Sequence, residues 1–194
     1  MSTAVSICSN ALLSLGANPI NSFDDAGSGT DTGIDRARLC ANLYDTTRDD
    51  LLRSHPWNCA IKRVILAPET ATPAFDWAYS FLLPEDWLRT RQVGYYGQEL
   101  PYKSEGRRLL ANVNALPLVY VYRNDIEATW DSQLINLMEL RMAWKLAYAI
   151  TGSTSERDSR EQEYERAAKR ARNIDGQDDP PETAGDFPLL NGRY

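Results

Sequence analysis

The chain has 194 residues, 43% of them hydrophobic, with a formal net charge of −6 and a pI near 4.9. That length fits one domain, or one domain with an inserted subdomain, and supplies ample material for a packed core. The acidic balance argues against nucleic-acid or anionic-membrane binding as the main activity, because phosphate contacts need clustered Lys and Arg.

Three cysteines, Cys8, Cys40 and Cys59, form no CxxC pair, and His55 is the single histidine. A zinc site is therefore not expected, and the thiols read as small apolar side chains in a reducing compartment. No apolar stretch reaches the roughly 20 residues of a membrane helix, and Met1-Ser2-Thr3-Ala4 lacks the charged start of a signal peptide, so synthesis is expected in the cytoplasm.

In chain order, Val5, Cys8, Leu12 and Leu15 recur at helical spacing over residues 3–16, with Gly16 placed as a cap. Residues 18–33 are rich in Asn, Asp, Ser and Gly and read as a loop. Its Gly27-Ser28-Gly29-Thr30 is no phosphate loop, since neither a GK[ST] run nor a preceding strand accompanies it. A second helix is predicted from about Ile34 to Ser54, carrying Ala37, Ala41, Tyr44 and Leu51 near one face; His55-Pro56 ends it because proline disfavours helical geometry in the residue before it. His55 reads as a corner residue, and with no second histidine a catalytic triad has no base.

The segment to Leu66 is β-branched and begins a sheet. Residues 75–89 then place Phe75, Trp77, Tyr79 and Phe81 at alternate positions, predicting one face of a strand, with a turn at Pro84 and Trp87 opening the next arm. A meander follows, with turns at residues 95–97, 104–106 and 112–114. Its last strand is apolar on both sides: Leu116, Leu118, Tyr120 and Tyr122 on one, Val119 and Val121 on the other.

A third helix is predicted from the N-cap Asp131 to Ile150; it is apolar around most of its circumference and must be central. A fourth, from about Ser155 to Asn173, alternates acids and bases at a spacing of four, as in Glu156 with Arg160, over a thin stripe of Tyr164, Ala167, Ala168 and Ala171. The last segment, 174–194, is acidic and contains three prolines, yet carries Phe187, Leu189, Leu190 and Tyr194, the composition of an arm that folds onto another surface. The expected fold is α+β, mainly α: a four-helix body (1–58 and 126–173), an inserted antiparallel β meander (59–125) and an extended C-terminal arm (174–194).

Four blocks in order resemble the tail tubular protein A family, the head-to-tail adaptor of short-tailed phages: residues 11–22, Leu51-Leu52-Arg53-Ser54-His55-Pro56-Trp57-Asn58-Cys59-Ala60, the aromatic strand running into Leu83-Pro84-Glu85-Asp86-Trp87-Leu88-Arg89, and residues 167–177. The resemblance spans nearly the whole chain. It implies a structural virion protein without catalytic residues, metal or cofactor: a ring, typically of twelve copies, between the portal protein and the tail nozzle, through whose lumen DNA passes without specific binding. It also implies that Phe187, Leu189, Leu190 and Tyr194 reach the portal, and that Trp77, Tyr79, Trp87, Tyr120 and Tyr122 meet neighbouring subunits or the tail. Two alternatives remain open: a carbohydrate-active virion enzyme using Glu85 or Asp86 amid the aromatics, and a tail completion or neck protein of a long-tailed phage.

Overall fold

The structure is a computed structural model that describes residues 2–24 and 35–178. The glycine-containing loop at 27–30 and the residues Phe187, Leu189, Leu190 and Tyr194 lie outside the described residues. Within them the chain is α+β, mainly α, with antiparallel sheets.

Helix α1 (Ala4–Ser14) starts where Thr3 and Ser6 exchange side-chain and backbone hydrogen bonds in a capping box. Asp35 caps α2 (Arg36–Ser54) by accepting from the Arg38 N–H. Asp131 caps α3 (Ser132–Thr151) and Ser153 caps α4 (Thr154–Asp175), each satisfying amides that a helix start leaves unpaired. Gly152, at φ +67°, ends α3 in a conformation that glycine adopts freely. Helix α3 packs against α1, α2 and α4, the central position its all-round apolar character demands. Ile7, Leu12, Leu51, Leu52, Leu134, Met138, Met142 and Leu146 are sealed in the resulting core. Burying each such side chain favours folding by about 1.5–3 kcal/mol, an upper figure because an unfolded chain already buries some surface. A buried guanidinium, Arg141, crosses this region, pairing with Asp50 and lying 5.3 Å from the Tyr164 ring.

The strands are β1 (Ile61–Leu66), β2 (Tyr79–Leu82), β3 (Trp87–Tyr95), β4 (Gln98–Glu99), β5 (Lys103–Glu105), β6 (Arg108–Ala111) and β7 (Leu116–Tyr122). All pairings are antiparallel, but they are less local than a run of consecutive hairpins. One sheet has the order β1-β7-β3-β4, and the other β2-β6-β5. Strand β7 is interior because both its faces are apolar: Leu116, Leu118 and Tyr120 meet Phe81, Leu109 and Ala111 of the second sheet, while Val121 enters the helical core beside Leu88.

The aromatic alternation does not produce the long strand that period two predicts. Asp76 takes φ +66°, and the Trp77 N–H turns back to the Phe75 carbonyl at 2.8 Å. Asp tolerates the left-handed region better than most residues, so the alternation breaks there and β2 begins only at Tyr79. Phe75 is left 77% exposed while Phe81 is fully buried.

Candidate functional site

The β region holds the five aromatics expected to make contacts: Tyr79, Trp87, Tyr120 and Tyr122 pack in or against the core between the two sheets, and Trp77 stands apart from them. Trp77 is half-buried at the rim of an open cavity of about 530 Å³ that it shares with Phe75, Asp76, Glu69, Glu105 and Arg108. Tyr79 packs at the edge of the inter-sheet core. Trp87, also half-buried, donates from its indole N–H to the Thr90 hydroxyl at 3.1 Å and has the Arg53 guanidinium 5.9 Å from its ring centre.

Tyr120 and Tyr122 sit around one carboxylate. Asp86 accepts from the Tyr120 hydroxyl at 3.0 Å and from Lys62 Nζ at 2.6 Å, and the same ammonium lies 3.8 Å from the centre of the Tyr122 ring. Burial, then the Asp86 bond, pushes the Tyr120 phenol up to about 12. Both Asp86 oxygens are thereby engaged in holding β1, β7 and the turn before β3 together. Glu85 is exposed beside it, in an open groove shared with Arg123 and Asp125. Trp77 lines a different cavity from Glu85 and Asp86.

His55 occupies the corner assigned to it. Its ring meets Trp57 edge-on with centroids 4.6 Å apart, and its Nε2 lies 3.1 Å from Asp175 Oδ2. Asp175, at the end of α4, also accepts from the Asn58 amide at 3.1 Å. Burial lowers the imidazole below its ordinary pKa, with Arg172 and Arg91 adding to the shift and Asp175 opposing it, so the ring is neutral at pH 7. Cys8 and Cys40 are buried, and Cys59 is partly buried, its thiol pushed up to about 12 by burial and then by Asp131 and Asp175. No group of three or more His, Cys, Asp or Glu able to hold a metal occurs among the described residues.

Alternation missed the most accessible groups. Besides Phe75, the exposed large apolar residues of the β region include Ile65 at 64%, Tyr95 at 62% and Tyr96 at 69%. The last three line a second groove, of about 280 Å³, together with Arg63, Pro117 and Val119. A signal for Tyr95 and Tyr96 was present in their place at a turn next to Gly97, where aromatic rings have no core to enter.

No protein-family model matches the chain, and no curated protein matches it. No helix among the described residues is long and apolar enough to cross a membrane.

Proposed function

We propose that this chain is a structural protein of a phage virion: a head-to-tail connector that forms a ring, of twelve copies in the particle, between the portal and the tail nozzle. The observation that carries the reading is the exposure of Phe75, Ile65, Tyr95 and Tyr96 on a β region held rigid by two cores. Apolar rings kept in water on a fixed scaffold mark contact with other proteins. The four-block likeness to tail tubular proteins gives that contact its setting, and the net charge of −6 suits a channel wall that lets DNA phosphates pass without holding them. In this reading Phe187, Leu189, Leu190 and Tyr194 reach the portal, while the β region meets neighbours and the tail.

The test is the mass of the purified protein, by light scattering, alone and after mixing with the portal protein encoded beside it. Formation of a ring-sized complex on the portal is the expected result. A protein that stays monomeric and ignores the portal overturns the connector reading.

A further inference from the structure

The two sheets face each other across the inter-sheet core, so their outer faces point in opposite directions. On the four-stranded sheet, Val64, Leu118 and Val93 point inward, and their neighbours Arg63, Val119 and Gln92 lie in register on the outer face. The groove there is bordered by Ile65, Tyr95 and Tyr96, and its charged lining residue is Arg63. On the three-stranded sheet, Phe81, Leu109 and Ala111 point inward, and Ser80, Arg108 and Leu110 floor the outer cavity that Phe75 and Trp77 overhang. Glu69 and Arg108 neutralise each other there at 2.8 Å, leaving Asp76 and Glu105 against Lys103.

One subunit thus carries an aromatic, cationic face and, on its opposite side, an aromatic, anionic face. Two unlike, complementary patches on opposite sides are what a heterologous, repeating contact requires; a two-fold dimer would instead use one self-complementary patch twice. We propose that these faces bind each other between copies of this chain, with Arg63 of one copy set against Asp76 and Glu105 of the next, and Ile65, Tyr95 and Tyr96 packed against Phe75 and Trp77. The apolar rings supply the buried area, and the charges set register and direction, since an exposed ion pair by itself adds little. This inference rests on the connector reading for the ring, and it names the side faces that the ring would use.

Charge reversal tests it. One variant carries Arg63→Glu; the other carries Glu105→Arg with Asp76→Asn, which keeps at position 76 a residue that accepts the left-handed backbone. All three positions are exposed, so circular dichroism and thermal melting serve as controls for folding. Sedimentation velocity over a concentration series is expected to show each variant self-associating at least about tenfold more weakly than the parent. An equimolar mixture of the two is expected to recover parental association, because every contact in an alternating assembly then joins opposite charges. Where the parent self-associates, single variants that associate like it, or a mixture that stays dissociated, overturn the pairing.

A second readout covers a parent that is monomeric at accessible concentrations. A chain carrying both Arg63→Cys and Glu105→Cys is oxidised at high concentration, and a ladder of linked copies is expected beyond any seen with the parent's own three thiols. Monomer alone overturns the proposal. The two readings fail separately: portal-bound rings insensitive to charge reversal keep the connector and remove this pairing, whereas a cysteine ladder without portal binding keeps the pairing and removes the connector.

Discussion

At the scale of single residues, Asp175 does the most with the fewest atoms. Its carboxylate accepts from the Asn58 amide and holds His55, and its carbonyl accepts from the Asn58 side chain at 2.9 Å. Replacing Asp175, itself buried, with alanine leaves the Asn58 amide and the imidazole without their acceptor, a loss of about 1–3 kcal/mol in a urea denaturation experiment. An unchanged midpoint would mean that water replaces the carboxylate there. His55 adds a pH dependence with a definite sign. Its pKa lies below the ordinary 6.5 in the folded chain, so the unfolded chain binds the extra proton between the two values. The stability this group contributes is complete above 6.5 and declines as pH falls toward the folded value. Urea midpoints at about pH 7.5 and about pH 5.5 are expected to differ less in His55→Asn than in the parent; equal differences would discount the histidine. Tyr120→Phe removes a donor to Asp86 while keeping the ring, and is expected to cost about 0.5–1.5 kcal/mol.

Among the elements, β7 and the β3–β4 hairpin decide most. Strand β7 belongs to both cores, through Leu118 on one face and Val121 on the other, and so couples the strands to the helices. Leu118→Ala empties a site that is 1% exposed, and a loss of about 2–5 kcal/mol is expected. The hairpin depends on Gly94, where φ is +103° and an added Cβ would stand 2.4 Å from the Gln98 carbonyl oxygen. Gly94→Ala is accordingly expected to destabilise by about 1–3 kcal/mol or to open the hairpin. Because Gly94 also borders the groove of Tyr95 and Tyr96, the same change is expected to weaken self-association in sedimentation. Association that survives an opened hairpin would shift the contact elsewhere. The boundaries of α3 were legible in the sequence because caps act over three or four residues: Asp131 and the Gly152 stop lie where local chemistry places them, whereas the start predicted for α2 at Ile34 passed over its cap, Asp35. The pairing of β1 with β7 was not, since 49 residues separate Leu66 from Leu116 and period two carries no information about partners.

For the whole molecule, the acidic chain is expected to show no measurable binding to duplex DNA by fluorescence anisotropy at physiological salt. Tight, salt-sensitive binding would refute a passive channel wall. Deleting residues 187–194 is expected to abolish portal docking while circular dichroism remains that of the parent. Docking by the truncated chain would remove those residues from the portal contact.

The sequence by itself determined the α+β class, the four helices, the Asp131 cap, the central place of α3 and the corner at His55-Pro56-Trp57. These follow from propensity, capping and periodicity, which operate over a few neighbouring residues. Only the tertiary structure decided that the aromatic run breaks at Asp76, that Asp86 is engaged by Lys62 and Tyr120, and that the two sheets present unlike outer faces. Those outcomes depend on which distant strands meet, and strand pairing is chosen by the burial of whole faces rather than by any local pattern.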